Sequence, residues 1–457
     1  NDFKREPLLP HQFSRYGPAI AAGDADGDGK VDFLGGGGKG QASQLYINKG
    51  DGKFTVKPQP VLEVLSEFEI TGAVFADLDG DKDLDLYLMS GGNQSNFTDH
   101  LFWNDGRGNY FEIKNQLPET KSSGGAVTVI DIDHDGDLDI FRGGQVLTGS
   151  YPLAPESYLF LNTKGAFTDV TPAFLKHLGM VKTADTADLN GDGRTDLVLA
   201  GEYLPVTILY GIGTAPYFSE KQEKQISGSS GWWNRVVIRD INKDGKADII
   251  AGNDGLNSQM KPTVKEPLTI DAADLDNNGS EDCVISYYID GKSYPMATRD
   301  ELLDQVPSFK TKFATYQAYA HATAADIFTA DQLKSAIHLK AEEFRSGVFI
   351  NEGKEFKFQP FLNQVQAFPV RGIIAADFNK DGREDLLLTG NNYSVRAQSG
   401  RYDAGKGMLL VQQQDGSFIP MENSGFLTDK DARNMIQIGD LIMVANNNDK
   451  IQVFSIH

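Results

Sequence analysis

The chain has 457 residues, of which 40% are hydrophobic, and a formal net charge of -21. This length exceeds that of one ordinary domain, so either several domains or a repeat around one closed core is expected. The acidic balance, without a basic stripe, argues against nucleic acid as a partner. The single cysteine, Cys283, excludes an internal disulfide.

Membrane segments and export signals are not evident. The sequence contains no run of 18 apolar residues, so no transmembrane segment is predicted. Any export signal or lipid anchor is expected to lie outside this sequence. Apolar residues occur in short runs between Gly, Asp and Asn, which indicates many short strands and an all-β fold.

The first predicted element is a strand over residues 2–8. It lies just before the first repeat, in the register of a fourth strand, whereas the tail over 434–457 offers three strands. We therefore predict that strand 2–8 pairs with the C-terminal blade 434–457 and closes one domain over 1–457, because pairing the ends removes a free sheet edge.

Seven nine-residue loops follow, with acids or amides at positions 1, 3, 5 and 9 and glycine near position 6. Loops 1 to 7 begin at Asp24, Asp77, Asp131, Asp188, Asp240, Asp274 and Asp377, and the first five recur every 52 to 57 residues. Strands flank each loop, which distinguishes the loops from an EF-hand, whose loop lies between helices.

Alternating carboxylates in a tight loop converge on one point, where they repel one another unless a cation is bound. Ca²⁺ suits such irregular oxygen clusters better than Mg²⁺, so about seven Ca²⁺ ions are predicted. The predicted ligands are the side chains at positions 1, 3, 5 and 9 and the carbonyl at position 7. They are Asp24, Asp26, Asp28, Lys30 and Asp32; Asp77, Asp79, Asp81, Asp83 and Asp85; Asp131, Asp133, Asp135, Asp137 and Asp139; Asp188, Asn190, Asp192, Arg194 and Asp196; Asp240, Asn242, Asp244, Lys246 and Asp248; Asp274, Asp276, Asn278, Ser280 and Asp282; and Asp377, Asn379, Asp381, Arg383 and Asp385.

Third and fourth strands follow most loops, as in QLYINKGDGKFTV from Gln44 and HLFWNDGRGNYFEI from His100. Each unit is then a four-stranded sheet that must pack against its neighbours, and radial packing closes a ring. We predict a seven-bladed β-propeller, with eight blades as the alternative. A helical pattern over 296–345 predicts one helical insertion within the propeller, inside an enlarged blade that also contains loop 6.

The succession of strand, DxDxDGxxD loop, strand and LYINxGDGxF resembles the FG-GAP or VCBS repeat of integrin α-subunit propellers. The segments SGWWNRVVIRDINKDGKADIIAGNDGLNS and SYPMATRDELL are similar to bacterial, Bacteroidetes-type VCBS-repeat proteins related to cartilage acidic protein. This resemblance implies a secreted protein or an outer-membrane surface lipoprotein of a Gram-negative bacterium, in an extracytoplasmic location.

Function is predicted to be binding without catalysis. The histidines are scattered and the acids are assigned to the calcium loops, so no catalytic group of residues stands out. Trp232 and Trp233 precede an innermost strand, which predicts an aromatic ligand-binding platform near one face of the ring. The expected partner is a protein or glycan, or an outer-membrane protein complex. A polysaccharide-acting, lyase-like enzyme on a calcium-bound propeller is the alternative.

Overall fold

The computed structural model describes residues 2–94 and 96–456, which form eight antiparallel β-sheets joined by short turns. The strands are short because Gly, Asp and Asn interrupt each apolar run. Sheet 1 contains β1 (Ile20–Gly23), β2 (Asp32–Gly35), β3 (Gln44–Asn48) and β4 (Phe54–Lys57); sheet 2 contains β5 (Ile70–Ala76), β6 (Asp85–Ser90), β7 (His100–Asn104) and β8 (Tyr110–Ile113); sheet 3 contains β9 (Ser123–Ile130), β10 (Asp139–Val146), β11 (Tyr158–Thr163) and β12 (Ala166–Asp169); sheet 4 contains β13 (Met180–Ala187), β14 (Asp196–Leu204), β15 (Thr207–Leu209), β16 (Glu223–Gln225) and β17 (Gly231–Trp232).

The second half of the chain is less regular, because one sheet is interrupted by another. Sheet 5 contains β18 (Arg235–Arg239), β19 (Asp248–Gly252), β24 (Gly347–Asn351) and β25 (Phe356–Pro360); the inserted sheet contains β20 (Leu268–Ala273), β21 (Asp282–Ile289), β22 (Lys292–Pro295) and β23 (Ile337–Ala341); sheet 6 contains β26 (Gly372–Ala376), β27 (Asp385–Thr389), β28 (Met408–Gln412) and β29 (Phe418–Pro420); sheet 7 contains β30 (Ala432–Ile438), β31 (Leu441–Asn446) and β32 (Gln452–Ser455).

The first strands of sheets 1 to 7 contact one another in a closed order. Contacts join β1 to β5, β5 to β9, β9 to β13, β13 to β18, β18 to β26 and β26 to β30, and β30 returns to β1. Apolar clusters fill the spaces between neighbouring sheets, as where Leu34 and Leu45 of sheet 1 meet Leu86 and Phe102 of sheet 2. These sheets are propeller blades around a central channel, as predicted, and the inserted sheet lies outside this order.

The amino terminus does not form the predicted strand. Residues 2–8 contain a 3-10 turn at Asp2–Lys4, and sheet 7 has three strands in the described chain. The carboxylate of Asp2 accepts a hydrogen bond from Ser14 N (2.9 Å), and that of Glu6 accepts from Tyr151 N (3.1 Å), so these acids bind backbone donors away from sheet 7. Ring closure instead uses packing between sheets 7 and 1, where Met443 lies in one cluster with Phe33.

The insertion extends over 253–346, between β19 and β24, and is larger than the predicted 296–345. It contains loop 6 and a sheet of its own, because β20 to β23 pair with one another and with no ring strand. Four helices lie between β22 and β23: α3 (Arg299–Gln305), α4 (Tyr316–Ala320), α5 (Ala324–Ile327) and α6 (Ala330–Ser335). The helices and the inserted sheet share an apolar cluster with Leu9, Phe13 and Tyr203, so the insertion rests on the ring and the N-terminal segment.

Two further helices, α1 (Pro60–Glu63) and α2 (Ala173–Lys176), connect ring sheets. Short 3-10 turns lie at Phe13–Arg15, Glu220–Gln222, Pro307–Lys310, Val365–Ala367 and Ala397–Ser399. Within the described ranges, no helix has both the length and the apolar character needed to span a bilayer.

Candidate metal centres

The seven acidic loops occupy one structural position. Each joins the first strand of its sheet in chain order to the second: loops 1 to 5 in sheets 1 to 5, loop 6 in the inserted sheet between β20 and β21, and loop 7 in sheet 6. Sheet 7 has only a tight turn at Gly439 and Asp440 in the same place. The tail sheet therefore lacks the loop, as its sequence indicates.

Local hydrogen bonds wrap each loop around its first residue. In loop 1 the Asp24 carboxylate accepts from Asp28 N (3.1 Å) and Gly29 N (2.9 Å), and loops 4 to 7 repeat both bonds. Positions 4 and 6 have positive φ in every loop. Glycine takes this conformation without steric cost, which explains the glycine at position 6 in all loops except loop 2, where Lys82 has φ 79°.

The aspartate at position 9 is buried and ties the loop to its sheet. In loop 3, Asp139 Oδ2 accepts from Ile132 N (2.9 Å) and Oδ1 accepts from Asn162 N on β11 (2.7 Å). The same pair of bonds holds Asp32 in loop 1, from Ala25 N and Asn48 N. Position 9 therefore has a structural role that does not depend on a metal.

Four loops bring three carboxylates together. One oxygen from each of positions 1, 3 and 9 lies within 4.8 Å of the others in these sets: Asp24, Asp26 and Asp32; Asp77, Asp79 and Asp85; Asp131, Asp133 and Asp139; and Asp274, Asp276 and Asp282. Ca²⁺ binds oxygens at about 2.3 to 2.6 Å, so ligands on opposite sides of one ion are about 5 Å apart. The spacing of these oxygens therefore fits one cation in each loop.

Unpaired buried oxygens support the same assignment. Asp26 Oδ1, Asp131 Oδ1 and Asp276 Oδ1 are buried and have no hydrogen-bond donor among the described residues. A buried carboxylate oxygen without a partner is costly, because it has lost water and gained nothing. A bound cation would remove this cost, so the residues present fit a metal ion.

Positions 5 and 7 lie outside these carboxylate sets. The side-chain oxygen at position 5 accepts from the backbone N–H at position 7 in all seven loops, as from Lys30 N to Asp28 Oδ1 (2.9 Å). In loop 1 the Lys30 ammonium also binds Asp28 (2.6 Å). Ligation by position 5 and by the position 7 carbonyl stays a prediction.

Loops 4, 5 and 7 carry asparagine at position 3, at Asn190, Asn242 and Asn379. In each, the amide oxygen accepts from the backbone N–H at position 5, as from Asp192 N to Asn190 Oδ1 (2.9 Å). In loops 4 and 7, an arginine at position 7 also pairs with the acid at position 5. These loops therefore offer less negative charge to a cation than loops 1 to 3.

Burial changes the titration of the position 9 acids. It raises the pKa of Asp85 and of Asp139 to about 7 and that of Asp196 to about 6, with neighbouring loop acids adding to the effect. The pKa values of Asp32, Asp248, Asp282 and Asp385 are raised for the same first cause. Without a cation, protons therefore compete for these oxygens near neutral pH.

Sequence reasoning missed a set of amides that join neighbouring sheets at these loops. Asn162 Nδ2 on β11 donates to Leu78 O in loop 2 of the preceding sheet (2.8 Å) and to Leu138 O in its own loop (3.0 Å). Asn104, Asn351 and Gln412 make the corresponding bond to the preceding loop. The repeated Asn of LFWN, LFLN and VFIN was the available signal.

The structure places the two predicted aromatic ligand residues in the core. Trp232 is 2% exposed and contacts Tyr203 and Phe344, and Trp233 is fully buried against Phe349 and Phe358. The Trp233 indole N–H donates to Ser229 O (2.7 Å). The predicted platform is therefore wrong, because the strand that follows the pair directs both indoles between sheets and the inserted segment covers Trp232.

Comparison with protein families agrees with this geometry. A family model described as an FG-GAP-like repeat matches residues 24–88 and 188–251, which contain loops 1 and 2 and loops 4 and 5. This chain contains FG-GAP-like repeats. The predicted resemblance to the repeat is confirmed, whereas the narrower likeness to bacterial proteins related to cartilage acidic protein stays a prediction.

Comparisons with individual proteins show only distant similarity. A search of curated proteins by sequence finds no match. Among solved structures, an Agrocybe aegerita lectin that recognises non-reducing terminal N-acetylglucosamine is 13% identical, with 96% of this chain and 86% of that chain covered and a TM-score of 0.47. The V. cholerae biofilm matrix protein Bap1 is 10% identical, with 98% and 88% covered and a TM-score of 0.38. Saccharomyces cerevisiae Sqt1 is 9% identical, with 98% and 84% covered and a TM-score of 0.44.

Proposed function

We propose that this protein is a calcium-stabilised propeller that works outside the cytoplasm as a binding or scaffolding module, without catalysis. The observation that carries the metal part is that the carboxylates of positions 1, 3 and 9 come together in four loops, with a buried oxygen that lacks a donor in three of these sets. Calcium is proposed because it accepts six to eight oxygens in irregular geometry, whereas Mg²⁺ needs near-octahedral ligands.

The proposed compartment follows from calcium affinity. Calcium loops of extracellular modules have dissociation constants of about 10⁻⁴ to 10⁻³ M, so cytosolic calcium would leave such sites empty. We therefore propose a secreted protein or an outer-membrane surface lipoprotein of a Gram-negative bacterium. An export signal or a lipobox encoded upstream of Asn1 would support this location, and a precursor without either would contradict it.

The proposed partner is a protein or a glycan, with an outer-membrane protein complex as one form of such a partner. The ring offers a rigid scaffold, and the insertion over 253–346 adds surface that the ring itself does not need for closure. An absorbance assay for unsaturated uronic acids on a panel of polysaccharides tests the enzyme alternative. Release of unsaturated uronic acids would contradict the proposal of binding without catalysis and would support the lyase alternative.

Native mass spectrometry tests the metal part directly. We expect about seven Ca²⁺ ions on the full chain at calcium concentrations above the dissociation constants. As the calcium concentration is lowered, loops 4, 5 and 7 should lose their ions first, because asparagine replaces an acid at position 3 of these loops. Two or fewer ions would contradict the proposal. Magnesium at the same concentration serves as the control cation.

A loop variant tests whether the gathered acids hold the ion. In Asp131→Asn/Asp133→Asn, we expect one ion fewer and a lower melting temperature than wild type with calcium, but an equal or higher one without calcium, because charge repulsion is reduced. Asp440→Asn, at an exposed turn without a loop, is the matched control and should change neither count nor stability. An unchanged ion count in the double variant would remove loop 3 from the metal sites.

A further inference from the structure

A cavity of about 220 Å³ lies in the central channel, where the first strands of the ring sheets meet. Four basic residues line it: Lys182 on β13, Arg235 on β18, Arg371 just before β26 and Arg433 on β30. Among the described residues that line the cavity there is no Asp or Glu. The lining of this cavity is therefore positively charged, although the chain as a whole has a net charge of -21.

Two of the four cations form an ion pair with a carboxylate. Lys182 Nζ donates to Glu202 Oε1 (3.1 Å) and Asn234 Oδ1 (3.0 Å). Arg433 Nη2 donates to Asp431 Oδ2 (2.8 Å) and Ser394 Oγ (3.1 Å). One carboxylate therefore balances the charge of each of these two cations. The Nε atom of Arg433 is nevertheless buried without an acceptor.

The other two cations lack such partners. No carboxylate of the described chain lies within 4.0 Å of the guanidinium nitrogens of Arg235 or Arg371, and the Nε atoms of both are buried without an acceptor. Asp185 acts on Arg235 only at longer range, and its carboxylate accepts the N–H groups of Thr186 and Ile238. A buried charge without a partner is costly, and Arg371 is only 6% exposed.

Mutual repulsion adds to this cost. The pKa of Arg433 is lowered to about 10, first by burial and then by the charge of Arg371. The pKa of Lys182 is raised despite burial and the nearby charge of Arg371, because Tyr16, Glu202 and Asp254 favour its protonated form. Arg371 thus lies near two further cations, and no Asp or Glu is among the described residues that line the space they share.

Small residues line another part of the cavity and leave room for a ligand. They lie on the first strands of sheets 2 to 4 and include Gly72, Ala73, Gly125 and Ala184. Ala73, Val127 and Ala184 are half-buried, so solvent reaches this part of the channel. The cavity is therefore an accessible space that both cations and small residues line.

We propose that this cavity binds the oxyanion group of a small acidic ligand, a carboxylate or a sulfate, through the guanidinium groups of Arg371, Arg235 and Arg433 that line it. A guanidinium matches either group, because its planar fork donates two parallel hydrogen bonds to two oxygens. This site uses none of the loop acids, so it would stand even if the loops bound no calcium.

Isothermal titration of the calcium-loaded full chain with sodium acetate, sodium sulfate and sodium glucuronate tests the site. Arg371→Met keeps an unbranched apolar stem and removes the charged guanidinium group, and Arg401→Met, at an exposed position outside the cavity, is the matched control. We expect saturable binding of at least one probe, a loss of about tenfold or more in affinity in Arg371→Met, and affinity within about twofold of wild type in Arg401→Met.

Melting temperatures show whether the variant folds. Ligand-free Arg371→Met should melt at or above the wild-type temperature, because an unpaired buried charge is removed, and Arg235→Met is the substitute if it does not fold. Stronger binding of glucuronate and acetate than of sulfate would assign a carboxylate ligand, and the reverse order a sulfate ester. Absence of binding by all three probes, or equal binding in wild type and both variants, would overturn the proposal.

Discussion

At the scale of single residues, Lys82 is the one position 6 residue of the seven loops that is not glycine, and its φ of 79° is unfavourable for any side chain. A left-handed conformation costs a non-glycine residue about 1 to 2 kcal/mol. A glycine avoids this strain, but its greater freedom in the unfolded state offsets about 0.5 to 1 kcal/mol of the gain. We expect Lys82→Gly to raise the free energy of unfolding by up to about 1 kcal/mol, measured by urea denaturation.

Gly136 offers the matched control for this change. It holds position 6 of loop 3 with φ 94°, and no atom lies within 4 Å of where a Cβ would stand. Gly136→Ala should therefore lower the free energy of unfolding by about 1 kcal/mol through backbone strain alone. Destabilisation by Lys82→Gly would show that the lysine side chain contributes more than its backbone costs.

At the scale of strands and sheets, an amide on the third strand connects sheets 2, 3, 5 and 6 to the loop of the sheet before. Asn162 is 1% exposed and donates to carbonyls of two sheets, whereas Asn48 donates to Val31 O of its own loop (3.0 Å). We expect Asn162→Ala to lower the free energy of unfolding by about 2 to 3 kcal/mol, because two buried carbonyls lose their donor.

Asn48→Ala is the matched control, because it removes the same bond within the loop but none between sheets. Its expected cost is about 1 kcal/mol, measured in the same chemical denaturation. Equal costs for the two variants would show that the bond between sheets contributes nothing measurable to the ring.

At the scale of the whole molecule, the loops link stability to pH and to calcium. The folded pKa values of Asp85 and Asp139, about 7, exceed the ordinary value of 3.8, so without metal the folded state binds more protons between pH 4 and 7. The free energy of unfolding of the metal-free protein should therefore fall as pH rises through this window. The raised pKa of Glu69, about 7, changes the free energy of unfolding in the same direction. The pKa of Glu202 is lowered to about 2 by His11 and Lys182 despite burial, so its contribution to stability is lost only as the pH falls below about 4.5.

Calcium should reverse this trend, because it binds the deprotonated loops. Each loop would gain about 0.4 to 1.4 kcal/mol at about 1 mM calcium with the affinities given above, which amounts to several kcal/mol over seven loops. Melting temperatures at several pH values, with calcium and in metal-depleted buffer, measure both effects. A metal-free stability that rises from pH 4 to 7 would contradict the linkage, and curves indifferent to calcium would show that the loops are ordinary turns.

The sequence by itself determined the features that depend on neighbouring residues. The loops, their glycines and the flanking strands are local, because alternating acids and positive-φ turns act within nine residues. The sheets and the propeller follow from the same repeat, since short strands with two apolar faces must pack radially. The sequence also shows which loops have Asp and which have Asn at position 3. It does not show which of the carboxylate oxygens come close together in each loop.

Only the tertiary structure decided the features that join distant parts of the chain. Residues 2–8 looked like a missing strand, but their acids bind backbone donors elsewhere, and Trp232 became core because the insertion covers it. The cations of the channel come from four different sheets, so no local pattern marks Lys182, Arg235, Arg371 and Arg433 as neighbours. They meet because ring closure brings the first strand of every sheet to one axis, which is a property of the packed ring and not of any single repeat.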